Sequence, residues 1–515
     1  MPNKAGNFFR NAYNQNDYKK ERVKVVKMNK LNLKNGRNMS MLMDFYELTM
    51  SNGYFLDGMG DTTAYFDMFF RKIPEDGGYA IMAGLEQVIE YIEGLKFDED
   101  DIEYLRGLNT FDERFLNYLQ NFKFTGSVYA IPEGTLIFPG EPILTVKAPV
   151  KEAQLLETMI LLTINHQSLI ATKTSRIVRA ADGRPVMEFG SRRAQGPDGA
   201  MFGARASYIG GAAATAATIV GEEFGMPVAG TMAHSWVQFY DDEFTAFKKY
   251  SEMYPDNSVL LVDTYSVLNS GVPNAIRVAK EVLEPMGKRL KGIRLDSGDI
   301  AYLTRKARKM LDDAGLTDCK IVVSNSLDEH IITSILQQGA QIDSFGVGER
   351  LITSKSEPVF GGVYKLAAVE NDEGQIIPKI KISENVEKIT NPGFKKVYRF
   401  FDKDTHKALG DVITMADEVI NDKEPYTIFD PVYTWKKKTL TNYYVMELQQ
   451  EIFRDGKLVY NSPTLEETRN YTKLQLDNLW DEVKRFENPH TYYIDLSKKL
   501  WNVKNELITK LKGEK

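Results

Sequence analysis

"KGIRLDSGDIAYLTRKARKMLDDAGLTDCKIVVSNS" (residues 291–326) holds the pattern that decides the fold. A short apolar run breaks at a polar turn, a helical segment follows, and a second apolar run ends in Ser324 and Asn325. The same texture spreads outward in both directions. β-Prone runs recur at "PVMEFG" (185–190), "PVAGTMA" (227–233), "SVLLVDTY" (258–265) and "IDSFGVGE" (342–349). Helical patterns separate most of them: "ASYIGGAAATAATIVGEEFG" (206–225), "GVPNAIRVAKEVLEPMG" (271–287), "DIAYLTRKARKMLDDAG" (299–315) and "LDEHIITSILQQGA" (327–340). The β-prone runs are apolar on both faces, as buried parallel strands must be. Strand–helix alternation of this kind builds a parallel sheet or a barrel. Repeats that each end their strand in polar or glycine residues favour a (β/α) barrel over a doubly wound sheet. The fold class expected is therefore α/β: an irregular (β/α) barrel, with an α/β sandwich domain built from the N- and C-terminal parts of the chain.

In a barrel the chemistry gathers at the C-terminal strand ends. Those ends carry Arg192 and Arg193; Thr231 and His234; Asp263; Arg294, Asp296 and Ser297; Ser324 and Asn325; and Gly346, Gly348 and Glu349. Each alone is weak, since an exposed Arg or Asp at a loop is usually a solvated face, and Asp299 is a ready helix cap. Their repetition carries the reading, because a barrel brings all six sets to one mouth. Guanidinium groups match carboxylate and phosphate oxygens in bidentate geometry. Glycine pairs let backbone N–H groups approach a phosphate, and helix N-termini favour anions. Aspartates among them can hold Mg²⁺ or sugar hydroxyls. The mouth suits a small, multiply anionic substrate bearing a sugar, with a metal. The sequence has no Walker loop, no G-x-G-x-x-G, no H-E-x-x-H and no G-x-S-x-G.

At 515 residues the chain is too long for one ordinary core. It is 43% hydrophobic and 26% charged with a formal net charge of −6, which argues against general nucleic-acid binding. No apolar run approaches the length of a membrane span, and no signal-peptide core follows the N-terminus. The single cysteine, Cys319, excludes an internal disulfide, and a cytoplasmic location is expected. Residues 1–38 read as a basic, flexible extension: 1–37 hold ten Lys/Arg against two Asp/Glu. Residues 39–150 read as strands and an amphipathic helix (77–95), forming the N-terminal part of the sandwich. Residues 151–360 hold a long connecting helix and the barrel with its site. Residues 361–515 read as strands at 361–370 and 395–402 and helices at 463–486 and 494–512, packing beside the N-terminal domain.

Ordered along the chain, "DFYELTMSNGYF" (44–55), "FFRKIPEDGGYAIMAGL" (69–85), "EFGSRRAQGPDGA" (188–200), "GTMAHSW" (230–236), "IRLDSGD" (293–299), "IVVSNSLDE" (321–329) and "FGVGERLITS" (345–354) followed by "GGVYKL" closely resemble the nicotinate phosphoribosyltransferase family, of the type II phosphoribosyltransferase fold. The resemblance covers roughly residues 41–366. It implies synthesis of nicotinate mononucleotide and diphosphate from nicotinate and 5-phosphoribosyl 1-diphosphate, in NAD salvage, coupled to ATP hydrolysis through a phosphohistidine. It implies His234 as the phosphorylated residue, with Tyr46, Thr231 and Arg294 at the nicotinate. Asp296, Ser297 and Gly298 fall at the ribose and diphosphate, with Asp296 a candidate Mg²⁺ ligand, and Gly346, Gly348 and Glu349 fall around the 5′-phosphate. It further implies a homodimer in which the N-terminal domain of one subunit completes the neighbour's site. Where the family usually has Thr-Asp-Leu-Tyr, this chain has Met43 and Phe45 around the retained Asp44 and Tyr46. The competing readings are a nicotinamide-using relative, a catalytically idle NAD-pathway scaffold of the same fold, and a type I phosphoribosyltransferase. The last is disfavoured because "VLLVDTYS" lacks that group's adjacent acidic pair.

Overall fold

The computed structural model describes residues 37–385 and 388–513, so the extension foreseen at 1–38 falls almost wholly outside the described residues. At 291–326 the local rules are met in order. The strand Gly292–Leu295 ends at the turn through Gly298, whose φ of 82° favours glycine. Asp299 then caps the helix Ile300–Asp313 by accepting from the Tyr302 amide at 2.9 Å. That helix buries Ile300, Thr304, Ala307 and Leu311, one face at helical spacing. The strand Lys320–Asn325 follows with Ile321, Val322, Val323 and Ser324 all buried.

Six parallel strands form one sheet, in the order Ala214–Thr215, Val186–Glu188, Ser344–Val347, Lys320–Asn325, Gly292–Leu295, Val259–Leu261. An isolated parallel bridge from Thr215 to Val228 adds a seventh segment at one edge. Read as a ring, these segments follow chain order, the arrangement of a (β/α) barrel. Among the described residues no backbone ladder joins the segment at 228 to Val259–Leu261, so the ring keeps one open seam. Side chains span it instead: Arg294 reaches Thr231 and the Met232 carbonyl.

Two readings of detail are corrected. The helix expected at 206–225 is split: one helix runs Gly196–Ile209, a two-residue strand follows at Ala214–Thr215, and a second helix spans Thr218–Phe224. The break comes at Gly210–Gly211, where Gly211 takes φ 107°, and Ala214–Thr215 is too short to print a period of two on the sequence. The C-terminal helices are shorter than expected, Leu465–Asn478 and Lys498–Lys512, with Ile494–Leu496 a strand.

A seven-stranded antiparallel sheet draws on both ends of the chain. Its order is Ile376–Pro378, Gly362–Glu370, Thr63–Phe70, Leu144–Pro149, Ser127–Ala130, Gln450–Arg454, Lys457–Leu458. The helix Glu157–Ala180 runs from this layer to the barrel and is buried over most of its length. Buried ion pairs fasten it. Lys173 and Arg176 both bind Glu75 and Glu329 at 2.7–3.1 Å. Arg205, on the barrel side, bonds Glu133, Glu86 and Gln167. Removing one partner of such a pair costs about 3–5 kcal/mol because the other charge stays buried.

Candidate active site

The strand ends meet around Arg294. Its Nε donates to Ser324 Oγ (2.8 Å), Nη1 to Thr231 Oγ1 (3.0 Å) and more weakly to the Met232 carbonyl (3.4 Å), and Nη2 to Asp296 Oδ1 (3.2 Å). These account for four of the five guanidinium N–H groups. The fork thus faces the protein and ties three strand ends together, leaving one donor over. Ser324 Oγ also donates to Asp296 Oδ1.

Asp263 is the second organiser. Its Oδ2 accepts the Asp296 amide at 2.9 Å and Ser297 Oγ at 2.6 Å. Its Oδ1 is buried without a hydrogen-bond partner. His234 opens the helix His234–Phe239 at the seam. Its Nδ1 lies 3.1 Å from Thr264 Oγ1, and its Nε2 lies 3.9 Å from both Asp263 Oδ1 and Asp296 Oδ2. The ring is about 40% exposed, so it is open to a ligand. The arrangement presents an accessible imidazole nitrogen above two carboxylate oxygens, one of them unsatisfied.

The phosphate-type elements lie beside this centre. Ser191–Arg193 form a single 3₁₀ turn after Val186–Glu188, with Arg192 and Arg193 exposed. Glu349 bonds Lys355 at 2.6 Å, and this bond, with Arg193 and Arg350 beyond it, holds the Glu349 carboxyl below its usual range. Gly346 is required by contact, since a Cβ there would stand 2.5 Å from the Phe189 ring; at Gly348 it would stand 3.1 Å from the Phe189 carbonyl. Asn325 has φ 131°, and its side chain accepts the following amide.

Tyr46 does not join the cluster within one subunit. It lies on the helix Phe45–Leu56, half exposed, and burial, then the charge of Glu157, raises its pKa. Beside it Glu47 is wholly buried and accepts from Thr158 and the Asp44 amide, yet burial pushes its carboxyl up to about 7.

Sequence reasoning did not single out Phe189, Glu188 or Thr264. All three lie inside stretches it quoted, Glu188 and Phe189 within two residues of Gly190 and Thr264 beside Asp263, so nearness to a strand end was the available signal. The Phe189 ring lies 5.8 Å from the Arg294 guanidinium.

Among the described residues no group of three or more His, Cys, Asp or Glu is set to hold a metal ion. Mg²⁺, however, usually takes one or two carboxylates plus substrate phosphates. The orphaned Asp263 Oδ1 with Asp296 Oδ2 fits that donor set.

The chain is similar to known proteins over most of its length. Models of the nicotinate phosphoribosyltransferase (NAPRTase) N-terminal domain, family and C-terminal domain match residues 41–165, 185–414 and 394–504. The chain is 48% identical over 478 residues to a nicotinate phosphoribosyltransferase of Bacillus subtilis (strain 168), covering 92% of this chain and 96% of that one. It is 32% identical over 524 residues to the Homo sapiens enzyme of that name, covering 91% and 96%. The crystal structure of human nicotinic acid phosphoribosyltransferase superposes with a TM-score of 0.80 at 30% identity, over 90% of this chain and 99% of that one. With its motifs in family order and its strand ends meeting at one mouth, this chain belongs to the nicotinate phosphoribosyltransferase family.

Proposed function

We propose that this chain joins nicotinate to 5-phosphoribosyl 1-diphosphate, releasing nicotinate mononucleotide and diphosphate in NAD salvage, with ATP hydrolysis coupled through phosphorylation of His234. The observation that carries the reading is the convergence of Arg294, Asp296, Asp263, Ser324, Thr231 and His234 from separate strand ends on one mouth. The pyridine nitrogen attacks the ribose C1 as the C1–O bond to diphosphate breaks, through an oxocarbenium-like transition state. Nicotinate is a weak nucleophile, so positioning supplies much of the rate. The free Arg294 donor and Thr231 hold the nicotinate. Asp296, Ser297 and Gly298 hold the ribose and diphosphate. Arg192, Arg193 and the Gly346–Glu349 turn serve the phosphates. Mg²⁺ bound at Asp263 and Asp296 would neutralise charge on the diphosphate.

For ATP, the exposed imidazole of His234 is the nucleophile: it bonds the γ-phosphorus and ADP leaves. In this reading residues 151–360 carry the chemistry, residues 39–150 and 361–515 cover it, and the protein works in the cytoplasm. Tyr46 stands apart from its own mouth, on a helix whose neighbours Leu42, Phe45 and Met50 are exposed, as is Leu162. Val228 and Phe239, at the seam, are exposed too. A two-fold dimer that lays the first group over the partner's mouth covers both groups and completes each site in trans.

The deciding assay measures mononucleotide formation from nicotinate and from nicotinamide, with and without ATP. Product from nicotinate, stimulated by ATP, is expected. Product from nicotinamide alone would transfer the chain to the amide-using branch. Incubation with γ-labelled ATP should give an acid-labile, base-stable phosphoprotein that His234→Ala lacks.

A further inference from the structure

We propose that Glu188 is a positioning residue for this reaction: a buried carboxylate that holds the turn carrying Phe189, Arg192 and Arg193 against the neighbouring strand end. The inference rests on the functional reading above and adds a residue to it. Glu188 ends the strand Val186–Glu188 and is fully buried. Its Oε1 accepts the Gly190 amide, two residues on, and its Oε2 accepts Thr215 Oγ1 at 2.7 Å. Thr215 Oγ1 in turn accepts the Ala217 amide at 3.0 Å, and the Glu188 carbonyl accepts the Ala216 amide at 2.9 Å. One side chain therefore joins the strand it ends, the turn that follows and the adjacent strand.

No ion pair to Glu188 is found among the described residues, and burial raises its carboxyl above the usual range despite both donors. A buried charge without a counter-ion is unfavourable unless its hydrogen bonds are worth keeping. What those bonds hold is the wall of the mouth. A Cβ on Gly190 would stand 2.8 Å from Glu188 Oε1 and 2.5 Å from Ile352, so the turn packs closely against both. The Phe189 amide donates to the Val347 carbonyl at 2.8 Å, and its ring fills the space left by Gly346 and faces Arg294. If the Glu188 clamp opens, the aromatic wall and both arginines lose their register together while the rest of the mouth stays tied through Arg294.

Glu188→Ala, Glu188→Gln and Thr215→Val test this by steady-state kinetics with both substrates and by hydrogen exchange of the 188–195 segment. Glu188→Ala should lose about 10–100-fold in kcat/KM, carried mainly by KM for nicotinate and 5-phosphoribosyl 1-diphosphate. Exchange should rise in 188–195 but not in 292–299. Glu188→Gln, which can still accept the Gly190 amide, should recover most of the loss. Thr215→Val should lie between them, and it serves if the alanine variant does not fold. Unchanged KM values with unchanged local exchange in a folded alanine or valine variant would overturn the proposal, as would a uniform rise in exchange across the barrel. Should the wild type form no nicotinate mononucleotide, the functional reading fails and the exchange comparison alone judges Glu188.

Discussion

Arg294→Lys keeps the charge and removes the fork. The guanidinium donates from Nε to Ser324 on one side and from Nη1 to Thr231 on the other, with Nη2 on Asp296. An ammonium concentrates its donors on one atom at the end of a flexible stem. It can satisfy Asp296 and one neighbour, so at least one charge-assisted bond is lost. Such a bond is worth about 1.5–3 kcal/mol, which is about 10–150-fold in kcat/KM. Because Arg294, on the strand next to Val259–Leu261, also reaches across the open seam to Thr231 and Met232, the melting temperature should fall as well. The assay is diphosphate release from nicotinate and 5-phosphoribosyl 1-diphosphate by purified protein, beside a thermal melt. Catalytic efficiency within about threefold of wild type would refute the reasoning, because it would make the fork dispensable to the mouth. A drop in melting temperature with full efficiency would leave Arg294 a purely structural strut.

Asp411 binds the buried Arg399 at 2.6–3.2 Å and Tyr492 at 2.9 Å, while the wholly buried Glu141 shares a hydrogen bond with Asp411 and is pushed well above the usual carboxyl range by burial and then by Asp411. Asp411→Asn should cost about 3–5 kcal/mol by stranding the arginine, whereas Glu141→Gln should cost far less in chemical denaturation, since burial and Asp411 already disfavour the Glu141 charge; equal losses would contradict this. Burial, with Asp430 nearby, raises Asp495 from 3.8 to about 6. Its folded pKa lies above its unfolded one, so its contribution is present below about pH 4 and is lost as pH rises through about 6. Asp495→Asn should therefore stabilise the fold at pH 7.5, by up to about 3 kcal/mol, and raise the melting temperature there, the advantage shrinking as pH falls through about 6 and gone below about pH 4; no gain at pH 7.5 rules it out. Mixing the inactive variants Tyr46→Ala and Asp296→Ala under subunit exchange should restore up to about a quarter of wild-type activity if sites are shared across a two-fold interface, and no recovery after verified exchange would mean that Tyr46 serves its own barrel.

The alternation of strands and helices, and the list of polar residues at the strand ends, were legible in the sequence because both are local. A helix such as Ile300–Asp313 writes its period and its Asp299 cap into consecutive residues, and a strand such as Lys320–Asn325 shows its double burial as an unbroken apolar run. Parallel strands must place their C-terminal ends on one side, so the convergence of those residues followed from the fold class alone. The family followed from seven ordered motifs. The tertiary structure alone decided what each side chain faces. It turned the Arg294 fork onto Ser324, Thr231 and Asp296, left Asp263 Oδ1 without a partner beneath His234, and opened the seam at which His234 sits. It also set Tyr46 against Glu157 instead of its own mouth, made a strand of Ala214–Thr215, and closed Glu188 onto Thr215. These partners lie from 2 to 111 residues apart in the chain. Over most of such separations local propensity carries no information, and hydrogen-bond reach is set by how the strands and helices pack.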